Sequence, residues 1–394
     1  MKWMIPVGFA VALAAVIAFV VSRPAPPGAP GSGGKGRAPR TEAQDRGAWR
    51  TYHGNFALDG VAGGPVPDAP ELLWKFKAGN RVDFTPVSAD GRVYFTTAKG
   101  GLFALDLDGK VVWSISIAPD SFSSPPLLVD NLLIVGSNKG ILHAFDSASG
   151  KEKWGYDLGG AIQGSPNRIE LPDGRPAVMA ISPSDGSIHG VDLETGKGAW
   201  KTPGVERCDG SAGVGGGKIV MGSCASALHV YSVAKTEKIT DVSLGGDNQV
   251  AGGVAMSGST AFAGTRSGKL CAVDVSAAKI LWTNADGQGE AFMTPAVSET
   301  MVVFEADDGK VYGLRRDTGV KLWSFDTGNR PASPVIAGDR VVVSSGGSLF
   351  LLALADGKKI WSAPVSDDIT SPAVVGGRIL VGGDDGTVTA YGRK

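Results

Sequence analysis

Short apolar runs alternate with Gly- and Asp-rich breaks along most of the chain, and one unit of this pattern recurs. Residues 144–154 read AFDSASGKEKW, 190–200 read GVDLETGKGAW, 272–282 read AVDVSAAKILW and 313–323 read GLRRDTGVKLW. Shorter copies are ALDLDGKVVW at 104–113 and LALADGKKIW at 352–361, and a degenerate copy at 230–240 has Thr240 where the others have Trp. In each copy an apolar strand ends at or near an Asp, and a tight turn follows. Gly at the turn supplies a positive φ without a Cβ clash. A second strand then carries a large aromatic at a fixed place. Each copy therefore predicts a β-hairpin with one Trp.

The Trp positions are Trp74, Trp113, Trp154, Trp200, Trp282, Trp323 and Trp361, and with Thr240 in its place between Trp200 and Trp282 the spacings are 39, 41, 46, 40, 42, 41 and 38. A period near 40 with four short strands per unit marks a β-propeller blade. Seven units open on elements such as Phe84-Thr85-Pro86, Ser123-Ser124-Pro125, Gly164-Ser165-Pro166, Met293-Thr294-Pro295 and Ala332-Ser333-Pro334. An eighth opens at Thr370-Ser371-Pro372 and has room for only three strands, at 372–375, 378–382 and 387–391. The strand around Trp74, residues 72–77, supplies the missing one. Pairing the two ends closes the ring and removes an exposed sheet edge. The expected fold is all-β: an eight-bladed propeller of four-stranded antiparallel blades over residues 49–394.

Two segments precede it. Residues 1–22 carry one Lys and a long apolar run, MIPVGFAVALAAVIAFVV, near the length that crosses a bilayer as a helix. Its end offers no small-residue cleavage site, and no Cys follows it for lipidation. It reads as an uncleaved anchor holding the propeller at the inner membrane on the periplasmic side. The alternative is a cleaved signal releasing the propeller to the periplasm. Residues 23–48 are rich in Pro, Gly and Ser and read as a disordered tether.

Composition narrows the function. A net charge of −1 gives no global basic field for nucleic acid. The chain's 58 glycines suit many short strands and turns. Its three cysteines lack the CxxC spacing of a zinc site.

The A-x-D-x-x-T-G-x-x-x-W pattern at 190–200 and its copies resembles the PQQ-type propeller repeat, over the whole of residues 49–394. Two branches of that superfamily bear on function. In size and blade count the chain is similar to the BamB-type assembly factors, non-enzymatic scaffolds of the outer-membrane β-barrel assembly machinery. That resemblance implies no cofactor, and protein partners in the cell envelope. The chain departs from those factors in lacking a lipidation Cys. The other branch, the quinoprotein dehydrogenases, is marked by a vicinal Cys pair, a Trp floor under the quinone and a Glu/Asn/Asp calcium site. Cys208, Cys224 and Cys271 are nowhere adjacent, and the repeat accounts for every Trp except Trp3 and Trp49. A sensor ectodomain with a small molecule in the channel is a third reading.

Several residues invite site readings. In a hairpin turning at Gly216, Cys208 and Cys224 fall opposite each other, within disulfide reach and consistent with export. His143, His189 and His229 occupy one slot in three successive units, a slot filled by Phe103, Cys271 and Tyr312 elsewhere. Blades are rotated apart, so these imidazoles cannot converge on one ion and read as a packing position. Asp108-Gly109, Asp308-Gly309 and Asp385-Gly386 lack calcium-loop spacing and read as hairpin turns. Residues just before each Ser/Thr-Pro element begin the innermost strands. They are Arg81, Asp83, Asp120, Gln163, Arg207, Asp209, Asp247, Asn248, Glu290, Arg330, Asp367 and Asp368. In a propeller they ring one mouth of the channel. Seven acids against three Arg make that rim acidic, a candidate surface for docking a protein segment.

Overall fold

The computed structural model describes residues 47–394, which fold into eight four-stranded antiparallel sheets. Blade 1 shows the pattern, running outward from the axis as β2 (Val87–Ala89), β3 (Arg92–Thr96), β4 (Gly101–Asp106) and β5 (Val111–Ser116). Blades 2 to 7 repeat it at residues 127–157, 167–201, 213–243, 255–284, 296–326 and 335–364. Blade 8 joins β30 (Ala373–Val375), β31 (Arg378–Gly382) and β32 (Thr387–Gly392) to β1 (Glu71–Lys77), with Glu71 opposite Gly392 and Lys77 opposite Thr387. The innermost strands of blades 8 and 1 touch, closing the ring. The expected membrane segment at 1–22 and all but the last two residues of the 23–48 tether lie outside the described residues. Among the described residues no helix is long and apolar enough to cross a membrane.

Burial follows the radius. The inner strands β2 and β6 (Leu127–Val129) are buried at every position, whereas β5 alternates exposed and half-buried. The apolar faces of neighbouring blades merge into shared cores: Leu127, Ile134 and Leu142 of blade 2 pack with Val178 and Val191 of blade 3. Burial at about 25 cal/mol per Å² makes these inter-blade seams the main source of stability.

The repeated Trp locks each blade to the next. Trp113 Nε1 donates to Ser147 O of blade 2, Trp154 Nε1 to Leu193 O of blade 3 and Trp323 Nε1 to Leu354 O of blade 7. The turn glycine of the following blade lies on the indole: a Cβ on Gly196 would come within 2.5 Å of Trp154, and one on Gly357 within 2.5 Å of Trp323. The turn Gly thus meets two demands, a positive φ and a face flat enough for an indole. Where the Gly is lost, the lock is lost too. Thr236 and Ala278 hold the turn slot of blades 4 and 5 at φ 54° and 52°. The preceding Trp200 then has an unpartnered buried Nε1, and Thr240 has replaced the next Trp altogether. Trp361 precedes the split blade, which has no such turn, and packs edge-on against Tyr391 instead.

Each outermost strand also carries a register shift beside its Trp, as between Ala104 and Leu105 or between Ala272 and Val273. The extra residue is bulged outward. It is Val112, Ile239, Leu281, Leu322 or Ile360 in five blades, and these aliphatics are exposed. A bulge bends and twists an edge strand and so blunts edge-to-edge pairing.

Candidate functional site at the channel mouth

At the rim, Ser/Thr-Pro elements are tied across neighbouring blades. Ser165 N–H donates to Ser211 Oγ (2.9 Å), Thr294 N–H to Ser333 Oγ (3.1 Å) and Ser333 N–H to Ser371 Oγ (3.1 Å). Thr85 Oγ1 donates to Ser371 O (3.1 Å) across the ring closure. The hydroxyl stitches the inner strands, and the residues before it are left at the mouth.

A segment without regular structure crosses the axis farther along these strands. Trp49 bridges Ser88 of blade 1, and Leu128 N–H of blade 2 donates to Arg50 O. Thr51 Oγ1 meets Ser165 Oγ of blade 3. Val214, Met256, Val297 and Ile336, on blades 4 to 7, donate their N–H groups to the carbonyls of Phe56, Ala57, Asp59 and Gly60. Residues 49–62 are therefore a plug bonded to seven blades in turn. Periodicity could not show this, because the plug repeats nothing. The one local signal is an out-of-register Trp, Trp49, which is 1% exposed although it belongs to no blade. Within the plug, buried His53 directs Nδ1 at Leu58 O (2.8 Å) and Nε2 at Pro334 O (2.9 Å). Burial lowers its pKa below the ordinary imidazole value, so one of these two contacts lacks a proton at neutral pH.

Between plug and rim lies a cavity of about 410 Å³. Tyr52 of the plug floors it, its hydroxyl held by Ser333 Oγ and Thr294 Oγ1, and burial raises that phenol's pKa. Its walls come from blades 6, 7, 8 and 1, with Pro125 from blade 2. Three rim residues line it: Asp83, Arg330 and Asp368.

The other rim residues stand around it singly. Arg81 pairs with Asp83 (2.5 Å) and Arg207 with Asp209 (2.8 Å). Arg330 pairs with Asp307 (2.7 Å), and Glu290 with Arg266 (3.3 Å). Both of these guanidinium groups also sit over the Phe292 ring, at 4.8 and 5.0 Å, a cation–π cluster that charge counting does not reveal. Gln163 and Asp247 are exposed. Asn248 turns inward, donating to Leu244 O and Gly245 O and accepting from Ser267 Oγ, so it braces a loop and is not part of the rim. Among the described residues Asp120, Asp247, Asp367 and Asp368 have no cationic partner, and with the three Arg neutralised the rim is acidic.

The cysteine pairing needs correction. Strands β14 (Gly213–Gly215) and β15 (Lys218–Gly222) set Gly213 against Val220 and Gly215 against Lys218. The hairpin therefore turns between Gly216 and Gly217, its ladder ends at Gly213, and Cys224 lies against Arg207 instead of Cys208. The Cys224 N–H donates to Arg207 O (3.0 Å). Both residues are free thiols, Cys224 half-buried. Cys208 is buried with Sγ on Gly222 O (2.8 Å), and burial pushes its thiol up to about 12.

The histidine slot packs as expected. His143 meets Glu152, His189 meets Tyr156 and Ser187, and His229 meets Ser223 and Asp241. Among the described residues no three His, Cys, Asp or Glu side chains group as metal ligands. A quinone does not fit the cavity's residues either. No Trp lines it, the repeat Trp side chains all stand on the outermost strands, and the floor is a tyrosine already hydrogen-bonded.

A second depression, about 530 Å³, lies on the outer wall between blades 5 and 6, where Leu281 and Leu322 flank Phe262 and Trp282. Its cations are engaged: Arg315 with Asp317, and Arg316 with Ser298 O and over the Phe262 ring.

Fold and site together define an eight-bladed propeller of PQQ-type repeats with a plugged axis and an acidic mouth. The family model described as outer membrane protein assembly factor BamB matches residues 67–220 and 184–394, and the chain belongs to that family. It is 28% identical over 292 residues to the outer membrane protein assembly factor BamB of Burkholderia pseudomallei, covering 69% of this chain and 74% of that protein. The crystal structure of BamB from Moraxella catarrhalis superposes with a TM-score of 0.69 at 18% identity, covering 82% of this chain and 98% of that one. Quinohemoprotein alcohol dehydrogenase from Comamonas testosteroni superposes at 0.74 with 14% identity, covering 89% and 82%. At such identities the two structures establish the fold alone.

Proposed function

We propose that the chain is a non-enzymatic scaffold of the cell envelope that docks protein segments on its acidic rim during outer-membrane β-barrel assembly. The observation that carries this reading is the family match across both halves of the propeller. The rim adds physical support. It surrounds a cavity closed beneath by the plug, and four of its acids lack a cationic partner among the described residues. A one-signed surface speeds encounter with a basic segment and disfavours acidic ones. The apolar residues 1–22 would hold the propeller at the inner membrane, facing the periplasm, with 23–48 as tether; signal cleavage would leave it free in the periplasm.

The test is a crosslinking pull-down of the full-length chain from native membranes, compared with the triple variant Asp120→Lys, Asp367→Lys, Asp368→Lys. The wild type should recover β-barrel assembly components and the variant several-fold less. Equal recovery would remove the rim from the interface. A quinone absorbance band in the eluate would redirect the assignment to a dehydrogenase.

A further inference from the structure

One position of the blade repeat is polar only on blades whose loops wall the cavity. The slot that ends the apolar run of each second strand is Gly136, Gly222, Gly264 and Gly382 in blades 2, 4, 5 and 8, and Ile181 in blade 3. Glycine suits it because a Cβ would strike the inner loop of the next blade, 2.5 Å from Ile162 in blade 2 and 2.2 Å from Val250 in blade 4. In blades 1, 6 and 7 the slot instead holds Thr96, Glu305 and Ser344. These three are on blades whose loops wall the cavity. Each is 1% exposed, and each has a side-chain oxygen with no hydrogen-bond partner: Thr96 Oγ1, Glu305 Oε2 and Ser344 Oγ. Ser344 lines the cavity directly. Glu305 stands one residue behind, its Oε1 accepting from the N–H of Met293, which also lines it (2.9 Å). An unpartnered buried polar atom costs about 1–3 kcal/mol. Blades 6 and 7 tolerate this beside one cavity, through Glu305 and Ser344, which implies an occupant that completes the bonds.

We propose that the cavity receives a basic side chain, lysine or arginine, carried by the protein segment that docks on the rim; this rests on the rim being the docking face. The hydroxyl oxygen of Ser344 and an ionised Glu305 carboxyl can both accept, and ammonium and guanidinium groups carry donors and no acceptor, so one basic head would complete both bonds and take the place of the Glu305 proton. The entrance is acidic. Asp368 at the lip has no cationic partner among the described residues, and Asp367 beside it has none either. Among the described residues the one cation lining the cavity, Arg330, is held by Asp307 and the face of Phe292. Phe84, Met293 and Ile369 give an apolar wall for an aliphatic stem, while the charged head reaches the polar groups.

The experiment uses the full-length chain in detergent with ¹³C-methyl-labelled methionine, titrated with N-acetyl-lysine amide, N-acetyl-arginine amide and, as the uncharged control, N-acetyl-norleucine amide. The Met293 methyl signal should shift saturably with the two basic probes and not with norleucine. Glu305→Gln keeps the bond to Met293 N–H and should weaken binding about tenfold. Ser344→Ala should weaken it several-fold, so the result does not depend on one variant folding well. Equal response to norleucine, no response to any probe, or unchanged binding in both variants would overturn the proposal. The membrane pull-down separates this failure from that of the docking face. If rim reversal abolishes capture while Glu305→Gln and Ser344→Ala leave it intact, the rim docks a partner and the cavity takes no basic side chain from it.

Discussion

Glu305 shows how much a single side chain can change in this fold. Burial pushes its carboxyl from 4.5 up to about 8, against the opposing pull of the Met293 N–H and the Arg330 charge. Between those values the folded chain keeps a proton that the unfolded chain has released. The group's contribution to stability is therefore fully present below about pH 4.5 and is lost as pH rises through about 8. At ~1.4 kcal/mol per unit, the loss is on the order of 3–5 kcal/mol. Glu305→Gln is neutral at every pH and removes this dependence. Thermal unfolding at pH 5.5 and 8.5 should show a clearly smaller decline for the variant than for the wild type; equal declines would mean that Glu305 is solvated in the folded chain.

At the scale of the blade, the Trp and the following turn Gly act as one interaction carried on two elements. The pair is missing at Thr240 and Ala278, and the missing partners explain each other: an indole at 240 would meet the Ala278 methyl. Thr240→Trp alone should be neutral or destabilising. Combined with Ala278→Gly it should gain stability, with a coupling of about 0.5–2 kcal/mol in a double-mutant cycle read by urea denaturation. Additive effects would show that the indole does not reach the turn. The bulge beside each Trp makes the outward aliphatics a product of strand geometry. Leu281 and Leu322 each stand one residue before the strand Trp, and one extra residue on the outer strand puts both on the surface.

At the scale of the whole molecule, ring closure and plug decide the result together. Strand β1 completes blade 8 and Lys394 Nζ pairs with Glu71 (2.8 Å), so the two ends of the described fold hold each other. The plug turns an open axis into a cavity with one mouth. If it is integral to the fold, Trp49→Ala should cost about 3–5 kcal/mol, as much as a residue inside a blade. Equilibrium urea denaturation measures this, and a cost below about 1 kcal/mol would make the plug a passenger.

The repeat determined what depends on local chemistry and period: blade number, strand order, the turn at each Asp-Gly, the hairpin Trp, and closure by the strand at Trp74. Each of these recurs, and recurrence is readable in one dimension. The rim was legible as a set of positions, because inner-strand starts can be counted from the Ser/Thr-Pro elements. Its pairing was not: Arg81–Asp83 and Arg207–Asp209 are near in sequence, but Arg330–Asp307 and the shared Phe292 ring depend on how two blades meet. The Cys208–Cys224 register failed because two adjacent glycines, Gly216 and Gly217, both take positive φ and move the turn, and because the ladder ends at Gly213, short of Cys208. Only the tertiary structure could place residues 49–62 across the axis, since their partners are backbone groups on seven blades and backbone groups leave no trace in side-chain pattern. The same holds for Glu305 and Ser344, whose unpartnered oxygens lie at or just behind a cavity that exists only where blades and plug meet.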